Sequence, residues 1–255
     1  MVAAMRDAHR VFAVSGSLKR HAIDLGVAGE RIQVVGNGVD TERFHRVSRA
    51  SARERLGIPL DAPVLISVGA LVERKGFHRV MECLPALRKR FPALRYVVVG
   101  GASPEGDWSA ELRACATRLG VQDCVAFLGP VPPDELSGPL SAADVFVLAT
   151  RNEGWANVFL EAMACGLPVV TTDVGGNAEV VADARLGTLV PFGDAPALEA
   201  AIVDALARDW DREALVAHAF ANSWDRRVET LAHEYAAIVA GVSRADMRPH
   251  AVPHG

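Results

Sequence analysis

Apolar residues in this chain gather into short runs set apart by longer stretches with helical spacing. Runs rich in Val, Ile and Leu at 32–35, 64–68, 96–99, 125–128, 145–148, 169–171 and 188–190 read as strands. Between them, Phe77, Val80, Met81, Leu84 and Leu87 mark one helix face, and Trp108, Leu112, Cys115 and Leu119 mark another. The order is a repeated βα. Strands that are apolar almost throughout, rather than at alternate positions, predict a parallel sheet covered on both faces, an α/β doubly wound Rossmann-like domain. Asp194 before Pro196 predicts a capped helix running through Leu206, and Trp224, Val228, Leu231, Tyr235 and Ile238 predict a closing amphipathic helix. Ser137-Gly138-Pro139 interrupts the helix expected after Pro133, and the tail 243–255, with two prolines and two histidines, predicts disorder.

One stretch carries most of the candidate chemistry. Glu153 and Glu161 lie eight positions apart across a loop-to-helix junction, and the helix expected from Asn157 to Cys165 is stopped by Gly166 and Pro168. Free N–H groups of Ala156, Asn157 and Val158 would point out of its start, which suits a phosphate. Two carboxylates beside an anion site make sense as acceptors for hydroxyl groups, and a sugar nucleotide carries hydroxyls on both sides of its diphosphate.

The Glu-x7-Glu pair followed by AMACGLPVV and GGNAE resembles the retaining glycosyltransferases of family 4, which have the two-domain GT-B architecture. VVGNGVDTERF at 34–44, VGALVERKGF at 68–77, FLGPVPPDEL at 127–136, AADVFVL at 142–148 and SWDRRVETL at 223–231 agree with it. The wording around Glu153 looks most like the branch that includes teichuronic-acid-type enzymes. The resemblance implies the C-terminal, donor-binding domain of GT-B, over residues 31–242. It implies that Glu153 bonds the donor sugar, Glu161 the ribose and Lys75 the diphosphate, with Gly69, Gly175 and Gly176 near the donor. Gly175 and Gly176 read equally well as a tight turn that needs a permissive backbone. A glycosidase-type acid and nucleophile pair is the weaker reading of the two glutamates. The family usually has an arginine five residues before the lysine. Here that position is Ala70, and Arg74 is a low-ranked substitute.

Residues 11–14 and the helix after them resemble the last strand and helix of the family's acceptor-binding first domain, so 1–30 reads as its remnant. The rest of that domain is expected to be missing, as in a truncated frame, a fragment or half of a split enzyme. The implied activity is transfer of a sugar, with retention, from a nucleotide-diphosphate sugar to a saccharide or lipid-linked acceptor. No cofactor or metal is implied. The alternatives are a non-catalytic nucleotide-sugar-binding module and a GT-B-fold epimerase. The isolated chain is expected to be inactive.

Composition narrows the partners. At 255 residues, 50% hydrophobic with net charge −4, the chain can bury a full core and has no general attraction for nucleic acid or anionic lipid. At most a peripheral membrane association is expected, at the inner face, since no apolar run is long enough to span. Cys83, Cys115, Cys124 and Cys165 lack C-x-x-C spacing and read as reduced core thiols, which fits a cytoplasm, while the resemblance implies polysaccharide or cell-envelope synthesis. Asp209-Trp210-Asp211 matches a metal-binding pattern of another glycosyltransferase class, yet Asp211 is placed to cap the next helix.

Overall fold

The computed structural model describes residues 2–241. Its larger sheet has six strands, β3 (Val64–Val68), β4 (Arg95–Val99), β5 (Val125–Gly129), β6 (Val145–Leu148), β7 (Val169–Thr172) and β8 (Gly187–Val190). They run in the order β5-β4-β3-β6-β7-β8, every adjacent pair parallel. The doubly wound expectation is met. Residues 64–66, 145–148 and 169–170 are fully buried, as strands covered on both faces must be. Helices α3 (Arg49–Leu56), α4 (Phe77–Arg90), α5 (Ser109–Arg118), α6 (Ser137–Ala142), α7 (Asn157–Ala164), α8 (Asn177–Val180), α9 (Ala195–Ala207) and α10 (Arg212–Ala221) supply the connections and the cover. In such a sheet ligands bind outside the carboxyl ends of the strands where the winding reverses, here between β3 and β6.

A second, smaller sheet precedes it. After α1 (Val2–Asp7), strand β1 (Val11–Ala13) pairs in parallel with β2 (Ile32–Val34) around α2 (Gly16–Asp24). The apolar run at 32–35, which the sequence places in the larger domain, therefore belongs to this two-stranded unit. Its apolar composition alone does not say which sheet it joins. The unit is fastened to the large domain by the Glu179 carboxylate, which accepts from Gly16 N at 2.8 and 3.0 Å, and by Arg10 with Glu234 at 3.4 Å.

Other local expectations resolve in detail. Asp194 and Asp211 each accept a helix N–H, from Ala197 and Ala214 at 2.9 Å, so the D-x-D is a cap. Pro139 fits inside α6 because it falls in the first turn, where an N–H has no partner to lose. All four cysteines are buried free thiols, and burial pushes the Cys83 thiol up to about 12 and the Cys165 thiol up to about 11. The closing helix is present as α11 (Trp224–Ala240), and much of its apolar stripe is open to solvent, with Trp224 42%, Val228 57% and Tyr235 56% exposed, while Glu234 is buried. Helical periodicity shows that a stripe exists, not what covers it. The expected disordered tail lies outside the described residues.

Candidate functional site at the carboxyl ends of β3 and β6

Two loops meet at the reversal point. The loop after β3 ends in a short 3-10 turn, Glu73–Lys75, and then Gly76 at φ +75°. A Cβ on Gly76 would stand 1.9 Å from the carbonyl oxygen of Ala149, so only glycine lets this loop close against the end of β6. That contact sets the position of Lys75. Its Nζ donates to Glu153 Oε1 at 2.5 Å, and Thr150 Oγ1 donates to the same oxygen at 3.2 Å. Glu153 is only 9% exposed at its side chain, so the ion pair is held largely out of water.

The helix start beside this pair is open. Ala156 stands at the N-cap of α7 with no side-chain acceptor for the first N–H groups, and among the described residues the N–H groups of Ala156, Asn157 and Val158 have no partner. Such donors and the helix dipole together attract an anion. The Asn157 side chain accepts from Asn37 at 3.0 Å, tying the helix start to the segment that follows β2.

Glu161 lies deeper in α7. Burial pushes its carboxyl up to about 7, partly offset by Arg43, and among the described residues its carboxylate has no hydrogen-bond partner. A half-buried carboxylate without a protein partner is an acceptor open to donors.

Gly175 and Gly176 come to the same place from β7. A Cβ on Gly175, at φ +57°, would stand 1.8 Å from Glu153 O, and one on Gly176 would stand 2.3 Å from Gly154 O. Their small size serves the packing of this turn against the Glu153 loop. Gly69, at φ +151° at the end of β3, has only the Lys75 side chain near its open side. The structure thus brings Lys75, Glu153, Gly69, Gly175, Gly176 and the start of α7 to one crevice, with Glu161 on the helix that opens from it.

Several contributors were missed in sequence. Thr150 and Arg43 sit in segments without a distinctive pattern. Trp155 packs so closely on the segment after β2 that a Cβ on Gly36 would meet its ring at 2.3 Å, and only the Gly36-Asn37-Gly38 spelling hints at a crowded backbone. Among the described residues no group of three or more His, Cys, Asp or Glu is placed to hold a metal.

The chain matches the model of the glycosyl transferases group 1 over residues 48–221, and that of Glycosyltransferase Family 4 over residues 1–43. It is 38% identical over 257 residues to a D-inositol 3-phosphate glycosyltransferase of Geodermatophilus obscurus, covering 97% of this chain and 56% of the relative. It is 40% identical over 179 residues to a GDP-mannose-dependent alpha-(1-6)-phosphatidylinositol monomannoside mannosyltransferase of Mycolicibacterium smegmatis, covering 67% and 46%. The structure is similar to that of HepE from Anabaena in complex with UDP and glucose, with a TM-score of 0.79 and 26% identity, covering 92% of this chain and 65% of the other. The chain spans about half the length of the curated relatives it matches. With its parallel Rossmann-like sheet and its match across both family models, the chain belongs to the group 1 glycosyl transferases, of GT-B fold.

Proposed function

We propose that this chain is the donor-binding half of a retaining glycosyltransferase that moves a sugar from a nucleoside diphosphate to a saccharide or lipid-linked hydroxyl. The observation that carries this reading is the meeting of Lys75, Glu153 and the uncapped start of α7 at the reversal point of the sheet. Lys75 and the N–H groups of Ala156, Asn157 and Val158 take the diphosphate and stabilise its charge as it departs, while the acceptor hydroxyl enters on the same face. Glu153 holds Lys75 in place and accepts from hydroxyls of the donor sugar. Glu161 accepts from the ribose. The donor is the one small molecule this scheme needs, as substrate. The names of the mannosyltransferase relative and of the UDP-bound neighbour support a nucleotide-sugar donor. A cytoplasmic setting, at the inner membrane face where lipid-linked acceptors lie, suits it; no described helix is long and apolar enough to cross a membrane.

Glu161 provides the direct test. A carboxyl at about 7 is mostly protonated at pH 6 and mostly ionised at pH 8, and only the ionised form makes charge-assisted bonds to both ribose hydroxyls. Affinity for a nucleotide sugar should therefore rise roughly tenfold between those pH values, with protons released on binding. UDP-glucose and GDP-mannose are suitable probes, because their diphosphates do not titrate in this range. Calorimetry in buffers of differing ionisation enthalpy reads the release. The folded protein holds its Glu161 proton up to about pH 7 while the unfolded chain gives it up near the ordinary glutamate value, so this group's contribution to stability falls as pH rises through that window. Glu161→Gln should flatten the pH dependence of binding and raise stability above pH 7. If neither nucleotide sugar binds, the function proposed here is wrong.

Transfer itself needs an acceptor wall. The outward apolar stripe of α11 and the small sheet of two three-residue parallel strands are both elements that stand alone poorly. Phe12 of β1 and Tyr235 of α11 already touch, their rings 5.4 Å apart, so both lie on one side of the molecule. We read that side as the seat of an acceptor-binding Rossmann domain. Residues 1–255 assayed alone should bind donor without acceptor-dependent turnover, and turnover should appear when a first domain from a relative is added. Robust acceptor-dependent turnover by 1–255 alone would overturn this reading, and sugar isomerisation without acceptor would favour an epimerase.

A further inference from the structure

Arg74, next to Lys75, has its guanidinium between two carboxylates. Its Nε and Nη2 each donate to Glu105 at 2.5 Å, and its Nη1 stands 3.7 Å from Glu153 Oε1, the oxygen that also holds Lys75 Nζ. Two cations thus converge on one oxygen at the mouth of α7. The arginine is anchored to the facing loop. Its carbonyl accepts from Arg151 N at 2.7 Å, and its Nη1 donates to Asn152 O at 3.4 Å.

Glu105 is held quite differently. It rides on an exposed turn closed by two reciprocal 2.9 Å bonds between Ser103 and Gly106, and its side chain is 50% exposed. Among the described residues its carboxylate touches no group but Arg74. That hydrogen bonding holds the Glu105 carboxyl below the usual range. A carboxylate in this bidentate pose presents two oxygens in the plane of the guanidinium fork, as a phosphate does. With half of the Glu105 side chain open to water, the pair is worth less than a buried one, and a diphosphate of higher charge can displace the carboxylate into solvent.

We infer that Arg74 is a second cation for the diphosphate of the donor, and that Glu105 occupies its fork until the diphosphate displaces it. This rests on the reading that the crevice binds a nucleoside diphosphate. The arrangement answers a charge requirement: a diphosphate bridge carries two negative charges, Lys75 balances one of them, and Ala70 earlier on the same loop brings none. Arg74 is anchored while Glu105 is free to swing, so exchange moves the carboxylate and leaves the cation in place. The exchange also makes the donor's affinity depend on a residue that never touches it.

The test measures UDP and GDP binding by calorimetry to wild type, Lys75→Met, Arg74→Gln, Glu105→Gln and the Arg74→Gln/Glu105→Gln double variant. Arg74→Gln should weaken binding about tenfold, the loss expected for a charge-assisted pair. Glu105→Gln should tighten it severalfold, because the competitor for the fork is gone. The double variant should match Arg74→Gln, since without the guanidinium there is no fork to compete for. Opposite signs from two partners of one ion pair cannot come from damage to the fold. If Lys75→Met weakens binding while both Arg74→Gln and Glu105→Gln stay within twofold of wild type, or if Glu105→Gln weakens it, the inference fails and the crevice reading stands. If neither UDP nor GDP binds the wild type, the crevice reading fails and this inference with it.

Discussion

Arg53→Met should destabilise the protein by about 3 to 5 kcal/mol, the usual effect of breaking a buried charge pair from one side. Arg53 is fully buried and donates to the carbonyls of Ala142, Pro59, Leu60 and Ala62 at 2.7 to 3.0 Å and to Asp144 Oδ2 at 2.9 Å. Burial works against its charge, and Asp144 offsets that. The methionine fills much of the volume yet leaves four carbonyls without this donor, each a desolvated acceptor. Asp144 retains Arg49 at 2.5 Å, which limits the loss on the acid side. The same acid accepts from Val64 N at 2.9 Å, so this cluster fastens the start of β3 beside the start of β6. It sits at the opposite end of those strands from the crevice. Stability should fall while the nucleotide affinity of the remaining folded protein stays unchanged. Urea unfolding reads the first and calorimetry the second. A loss below 1 kcal/mol would mean that water or a neighbouring arginine replaces the guanidinium.

The contrast between Arg53 and Lys75 shows what the sequence could disclose. The six-stranded sheet was legible because parallel strands buried on both faces leave unbroken apolar runs, and β3 through β8 all carry one. The helix from Asn157 was legible because a glycine closes it and good helix formers fill it. Glu153 and Glu161 were singled out by their spacing and setting and Lys75 by the resemblance alone, and the structure puts Lys75 against Glu153. Arg53 was not, since an arginine in RASARERLG looks like any solvated helix residue, and its burial depends on carbonyls from a nearby loop and on a helix-end carbonyl and a carboxylate some 90 positions away. Glu105 was hidden for the same reason: a turn acid finds its partner only in three dimensions. The helix α11 and the strand at 32–34 were read correctly as elements, but the strand was put in the wrong sheet and the stripe of α11 came with no partner, because an apolar pattern reports a face without its neighbour.

Lys75→Met should weaken binding of a nucleotide sugar by about 10- to 100-fold, and should reduce acceptor-dependent transfer in the reconstituted pair of domains by a further large factor. The first figure follows from one or two charge-assisted bonds at roughly 1.5 to 3 kcal/mol each. The second follows from the stage at which charge grows: the diphosphate gains negative charge as its bond to the sugar breaks, so a cation placed there matters more in the transition state than in the bound donor. Removal of one such preorganised donor typically costs on the order of 100- to 1000-fold in turnover. The position is restrictive, because residue 76 must be glycine to bring this lysine to β6, a Cβ there standing 1.9 Å from Ala149 O, and because Glu153, itself bonded by Thr150, aims the ammonium. Lys75→Arg should therefore recover affinity only in part, a planar fork being a poor substitute for a compact ammonium in a slot of this shape. The loss should be steeper for a nucleoside diphosphate than for the monophosphate, which reaches only the α7 amides and Glu161. A structural role alone would weaken both ligands alike. Equal loss for the mono- and diphosphate, or an unchanged turnover once donor is saturating, would remove Lys75 from the reacting diphosphate and leave it as the counter-charge that keeps Glu153 in place.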